Sequence, residues 1–251
     1  MQIPEIGSSV IFLDTCDSTN AELARISGYP ETMNGTVVLT YEQTAGRGRR
    51  GNSWASVPNK DLTFSFLIIK PAIKAEHSFL PIAASAVAVA EFLGEKISDK
   101  KVQIKWPNDI LCNRKKICGM LIENTFTGNE SQKTIVGIGI NLNGTAYENT
   151  RFPATSVFLE TQIEEAVADN LAQLLPYLNR SFTQMFTAPG LLVNRYNSLL
   201  YGKSEWVPIL VAGKNILGKL ELVDMLGNPQ IRNINGDLVV SRVDEIQFSV
   251  V

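Results

Sequence analysis

Histidine is almost absent from this chain. His77 is the only one in 251 residues, so a His-dependent hydrolase or a two-histidine metal site would have to be built around that single side chain, and both are set aside. Cysteine is scarce as well. Cys16, Cys112 and Cys118 form an odd set with no C-x-x-C pair, which argues against a disulfide framework or a zinc site and for a reducing, cytoplasmic compartment. The first fifteen residues carry no Lys or Arg, so the n-region of a signal peptide is missing. The longest uncharged apolar stretch, 79–90, falls short of the roughly 20 residues a spanning helix needs, and no membrane association is expected. Nor is there a surplus of positive charge: 23 Lys and Arg against 25 Asp and Glu leave a net −2. A basic footprint over the whole chain is absent, and any anion must be met by a local patch.

What is present is enough apolar material, 45% of residues, to bury a sizeable core. Strands are expected at 10–15, 35–41 and 62–69, and a helix opening at Ser18-Thr19-Asn20, with Thr19 and Glu22 spaced as a capping box. The Ala/Val-rich run 79–93 predicts a buried helix with Pro81 in its first turn. Short strands at 102–106, 110–112, 117–124 and 134–141 follow, with a turn at 128–130. Their short connections predict an antiparallel or mixed sheet and no repeated βαβ units. Helices are expected over 164–188 and 191–201, interrupted near Pro176 and Pro189. Beyond Gly202 the pattern changes to short strands at 207–211, 217–223, 230–234, 238–241 and 245–250, with Asn235-Gly236 as a type I′ hairpin signal. The expectation is an α+β domain over 1–203, a central mixed sheet with flanking helices, followed by a small β-barrel over 204–251.

Gly46-Arg47-Gly48-Arg49-Arg50-Gly51 matches G-x-G-x-x-G in form. The segment after it, 52–58, is not helical in pattern, so the dinucleotide reading lacks its helix N-terminus. Three arginines among three glycines allow either a solvated basic loop or one that approaches and holds an anion. A second cluster bears on the choice. Residues 100–116 hold Lys100, Lys101, Lys105, Arg114, Lys115 and Lys116 against Asp109 alone, and Lys105 and Lys116 sit within strand-like patterns. The pentapeptide Lys105-Trp106-Pro107-Asn108-Asp109 turns out of a strand with polar groups at the sheet edge. Gly137-Ile138-Gly139-Ile140-Asn141 ends another strand in small residues, which admits either a flat ligand or a crowded crossing.

Together these segments, in this order between residues 14 and 143, resemble the biotin–protein ligase family: Ser18-Thr19-Asn20, Gln43–Gly51 with Trp54, Lys105–Asp109, Lys116-x-x-Gly119 and Gly137–Asn141. The resemblance implies a catalytic domain of the class II aminoacyl-tRNA synthetase and biotin ligase type with a C-terminal SH3-like barrel. It implies ATP-dependent activation of biotin to biotinyl-5′-AMP and transfer to a lysine of a biotin carboxyl carrier protein or carboxylase biotin domain. By the same resemblance Ser18, Thr19, Asn20, Gln43, Arg47, Gly48, Arg49, Lys116 and Gly119 bind biotin. Arg47, Arg49, Trp54, Lys105 and Asn141 hold ATP or the adenylate, and Lys116, Arg47 and Arg49 are catalytic. Asn108 and Asp109 position Mg²⁺ or the incoming carrier lysine, a choice left open, with Asp109 as the candidate metal ligand. Trp106 and Pro107 are taken as structural.

Two positions depart from the family pattern: Asn52 stands where many relatives carry a basic residue, and Cys118 where a small alanine is common. The matching sequence begins about fifteen residues from Met1, which leaves no room for the winged helix of relatives that also act as repressors, and no specific DNA binding is expected. The resemblance allows a homodimer through a sheet edge. Two other functions compete: a lipoate or octanoate ligase on the same fold, and a non-catalytic nucleic-acid module built on the arginine loop.

Overall fold

The computed structural model describes residues 3–147, 153–203, 205–240 and 246–248. A seven-stranded sheet forms from β1 (Val10–Cys16), β2 (Val37–Gln43), β3 (Leu62–Ile69), β4 (Val102–Lys105), β5 (Asp109–Cys112), β6 (Lys115–Thr127) and β7 (Glu130–Ile140). Its order is β1-β2-β3-β7-β6-β5-β4, parallel only between β1 and β2. The helices are α1 (Thr19–Ile26), α2 (Leu80–Lys96), α3 (Val157–Thr161), α4 (Val167–Thr187) and α5 (Pro189–Ser198). The last described strands, β8 (Val207–Val211), β9 (Lys214–Val223), β10 (Pro229–Asn233), β11 (Leu238–Val240) and β12 (Ile246–Phe248), make a separate antiparallel sheet ordered β11-β10-β9-β8-β12. The strand ends expected at Ser241, Glu245 and Val250 lie outside the described residues.

Alternation along the strands divides the large sheet into two faces. Phe64, Phe66 and Ile68 of β3 and Val136, Ile138 and Ile140 of β7 belong to the main core, where α2 packs with α4 and α5. Ser65, Leu67, Ile135, Gly137 and Gly139 have the opposite parity. Leu67 and Ile135 join Leu23 of α1 and Val38 in a second, smaller core. Next to that patch the same face carries serine and glycine where the other carries Phe and Ile. Small side chains beside α1 leave a trough, and the site lies in it.

Several sequence expectations are corrected. α4 runs through Pro176 without a break, although an interior proline costs about 3 kcal/mol. Its buried face of Leu171, Leu174, Leu178, Phe182 and Met185 supplies tertiary packing that outweighs the local penalty. The break near Pro189 is present, with that residue opening α5. The capping box at Thr19 is not formed: Ser18 is the N-cap and makes no side-chain cap bond, because Thr19 Oγ1 is engaged by Gln43 and Ser65. The turn before β11 is not type I′. Gly236 donates to Asn233 O at 3.0 Å and carries φ 90°, so Ile234 and Asn235 occupy the central positions. The helix around 79–93 extends from Leu80 to Lys96. With the preceding turn it is long and apolar enough to cross a membrane by length and composition, but most of it is buried, and it serves as the core helix.

The C-terminal sheet shares the main core. Trp106 donates its indole N–H to Gly227 O at 3.1 Å and meets the Phe248 ring edge-on at 6.1 Å. Asn197 of α5 bonds both backbone groups of Val223 in β9.

Candidate active site

A cavity of about 720 Å³ opens along β6 and β7, and it brings together every site residue the sequence singled out. Cross-strand pairs set its floor. Gly119 of β6 lies opposite both Gly139 and Asp109, and Leu121 opposite Gly137, which in turn faces Ser65. Cross-strand partners share a face, so these residues all project into the trough. Lys116 is three residues from Gly119 and by strict alternation would point to the other side. A register shift between Ile110 and Leu111 corrects its aim, as β-bulges do. Lys116 Nζ consequently lies 3.1 Å from where a Cβ on Gly119 would stand.

One end of the cavity is a hydrogen-bonded chain. Gln43 Oε1 accepts from the Thr19 N–H at 3.0 Å and from its hydroxyl at 3.3 Å. The Ser65 hydroxyl lies 2.6 Å from both Thr19 Oγ1 and Asn20 Oδ1. Asn20 Nδ2 donates to Glu123 at 2.7 Å and Leu121 O at 3.3 Å, and Glu123 also holds Arg47 at 3.0 Å. Asn20 is therefore a strut tying α1 to the sheet, with its amide occupied inside the protein. It packs so closely on Gly137 that a Cβ there would fall 2.2 Å from its Oδ1. Ser65 and Glu123 were not picked out in the sequence. Each reads as an ordinary strand residue, and only the parity it shares with Gly137 distinguishes it.

The arginine loop is folded. Trp54 N–H bonds Gly46 O at 2.9 Å, and Gly48 N–H bonds Asn52 O at 2.7 Å, so the segment closes as a tight reversal. Gly46 has to be glycine, since a Cβ there would stand 2.4 Å from Trp54 O. The loop sends its arginines apart. Arg47 goes to Glu123, while Arg49 donates to Asn108 Oδ1 at 3.1 Å. Burial, and next the nearby Arg50, lower the Arg49 pKa from its usual value. The Trp54 ring lies over the floor glycines: a Cβ on Gly139 would be 2.3 Å from it and one on Gly119 2.8 Å. Among the described residues its buried indole N–H has no acceptor.

The other end is cationic. Asp109 accepts from Lys116 at 2.7 Å and Lys105 at 3.2 Å, one ammonium on each oxygen. Burial by itself would push this carboxyl up, but the two lysines outweigh it and hold it below the usual carboxylate range. The trio keeps a net positive charge. Asp109, expected as the metal ligand, has each of its oxygens paired with an ammonium group here. Among the described residues no three His, Cys, Asp or Glu side chains cluster. Asn141 turns its Nδ2 to Thr155 O at 2.9 Å, and among the described residues its buried Oδ1 has no donor. Trp106 is buried in the core, as expected of a structural residue. Cys118 is buried too, its thiol pKa raised chiefly by desolvation, which makes it inert packing. Ile246 and Phe248 of the C-terminal sheet also line the cavity, a contribution from more than a hundred residues away that no local motif announces.

The sequence model of the biotin/lipoate A/B protein ligase family matches residues 13–141. The chain is 34% identical over 169 residues to the bifunctional ligase/repressor BirA of Bacillus subtilis, covering 66% of this chain and 49% of that protein, so it spans about half of that relative. It is 32% identical to the biotin–[acetyl-CoA-carboxylase] ligase of Paracoccus denitrificans, covering 67% and 69% of the two chains. Among solved structures, the biotin protein ligase of Aquifex aeolicus in complex with biotin and ATP superposes with a TM-score of 0.80 at 26% identity, over 97% of this chain and 100% of that one. The chain belongs to the biotin/lipoate A/B protein ligase family.

Proposed function

We propose that this protein is a biotin–protein ligase that activates biotin with MgATP and transfers it to a lysine of a biotin carrier domain. In the first step a biotin carboxylate oxygen attacks the α-phosphorus, forming biotinyl-5′-AMP and releasing pyrophosphate. In the second the carrier amine attacks the acyl carbon, the amide forms, and AMP leaves. The observation that carries this reading is one continuous cavity with a hydrogen-bonding end at Thr19 and Gln43 and a cationic end at Lys105, Lys116 and Arg49. A neutral polar ring system suits the first, and a carboxylate meeting a polyphosphate suits the second.

Ser18, Thr19 and Gln43 bind the ureido ring, while Asn20 fixes the wall behind them. Gly48 lets the loop backbone close over the ligand. Lys116, held by Asp109, lowers the repulsion between carboxylate and α-phosphate and stabilises charge building in the transition state. Arg49 and Lys105 face the phosphates. Asn141 Oδ1, an acceptor with no donor, matches the exocyclic amine of adenine, and Trp54 offers the flat surface beside it. Mg²⁺ enters with the triphosphate as part of the substrate. The expected compartment is a reducing cytoplasm, on the grounds of an odd cysteine count with no C-x-x-C pair. The strands after residue 203 act as an accessory domain whose last strand closes the cavity.

The test is mass spectrometry of a biotin carrier domain incubated with the protein, biotin and MgATP. A gain of one biotinyl group that needs every component is expected. Modification by lipoate or octanoate in place of biotin would move the protein to the other branch of its family.

A further inference from the structure

The Asp61 carboxylate takes no part in the steps above, yet it is 1% exposed. Its partners are all neutral. Oδ2 accepts from Val57 N–H at 2.8 Å, and Oδ1 accepts from Leu142 N–H at 3.0 Å and the Tyr147 hydroxyl at 2.8 Å. Burying a carboxylate among neutral donors is costly, and here burial raises its pKa while these hydrogen bonds act against the rise. An asparagine would remove the charge, but it has one acceptor oxygen and would set an NH2 against one of the three donors. Only a group that accepts at both oxygens satisfies all of them.

Those donors come from three separate pieces of the cavity. Val57 ends the loop that carries Arg47, Arg49 and Trp54. Leu142 directly follows Asn141, and Tyr147 lines the cavity itself. The pieces touch at Gly144, where a Cβ would lie 2.3 Å from the Tyr147 oxygen and 2.9 Å from a Val57 methyl. All are at the Lys116 and Asn141 end. Ser65 of the hydrogen-bonded chain is four residues beyond Asp61 along β3, roughly 13 Å at strand rise.

We infer that Asp61 is a positioning residue for the nucleotide, a single acceptor that clamps the arginine loop, the exit of β7 and Tyr147 into one wall. This rests on the proposed biotin- and ATP-binding reading. The clamp is anchored beside Asn141, away from Ser18, Thr19 and Gln43, so its loss weakens nucleotide binding far more than biotin binding.

The experiment is calorimetric titration of the parent, Asp61→Asn and Tyr147→Phe with biotin, then of the biotin-loaded proteins with MgATP's unreactive analogue, α,β-methylene-ATP. Thermal unfolding is recorded alongside. Asp61→Asn weakens the analogue about tenfold, the size of losing one hydrogen bond to a charged acceptor. Tyr147→Phe weakens it a few-fold, and the biotin Kd stays within about twofold for both. Equal weakening of both ligands, or of neither, overturns the clamp while the ligase reading stands. If Asp61→Asn does not fold, Tyr147→Phe decides by the same criterion. A parent that binds no biotin overturns the ligase reading and the clamp with it.

Discussion

Replacing Lys116 with Met separates the two half-reactions. The substitution keeps most of the side-chain length and deletes the charge. In the cationic trio it leaves Lys105 paired with Asp109, so the net positive charge at that end falls to what Arg49 supplies. The ammonium lies on the same face as the glycine floor, where the proposed reaction brings carboxylate and α-phosphate together. A unit charge about 4–5 Å from the developing anion, at an effective dielectric of about 20, contributes about 3–4 kcal/mol. Adenylation should then slow about 10²–10³-fold. Transfer from supplied biotinyl-AMP starts with a neutral amine and an acyl carbon, so it should fall far less. Asp109 keeps one cation, so the fold should survive, and thermal unfolding serves as the control. The assay is biotin-dependent pyrophosphate exchange beside single-turnover transfer from synthetic intermediate at saturating carrier. If both half-reactions drop by the same factor, Lys116 has no special part in adenylation and the argument fails.

Three further outcomes follow from the geometry. Glu123→Gln loosens the half-exposed pair with Arg47, worth at most about 1 kcal/mol to stability, so Tm should barely move while free biotinyl-AMP escapes a few-fold faster in rapid-quench assays; unchanged escape would show that this pair does not hold the loop. Gly139→Ala forces a Cβ into the Trp54 ring, an overpacking of about 1–3 kcal/mol, and the strain should disappear in Gly139→Ala/Trp54→Ala, a coupling that chemical denaturation measures; simple additivity would mean the ring does not rest there. Asp109 has a depressed folded pKa, so its contribution is present above the unfolded value near 3.8 and is lost as pH falls through the folded one; Asp109→Asn should cost about 3–5 kcal/mol at neutral pH, and the gap to the parent should close below about pH 3.8. A gap that instead widens in acid would reverse the Asp109 assignment; Asp61, with its pKa raised, has the opposite sign but is common to both proteins and cancels from the gap.

Much of the site was legible because its residues are local and periodic. Gly137, Gly139 and Asn141 share one face by alternation alone, and Lys116-x-x-Gly119 lies in the neighbouring strand. The bulge that aims Lys116 inward could not be read, because it is a property of the pairing with β5. Ser65 looked like any residue of a buried strand, and Glu123 like a solvent-facing one, until their partners in β7 were known. Asp61 stood at the end of a polar loop, and its donors come from residues 57, 142 and 147. Pro176 misled in the other direction: the local rule for proline is sound, and tertiary packing of α4 overrode it. The pairing of Asp109 with both Lys105 and Lys116 is not visible in the sequence, because the bulge that brings Lys116 to it is a property of the sheet register.

The most direct test of the central claim is exchange of labelled pyrophosphate into ATP, measured on the parent protein with no carrier present. The cavity as described predicts exchange that needs biotin and Mg²⁺ and is absent when lipoate or octanoate replaces biotin. Exchange supported by lipoate or octanoate and not by biotin would contradict it.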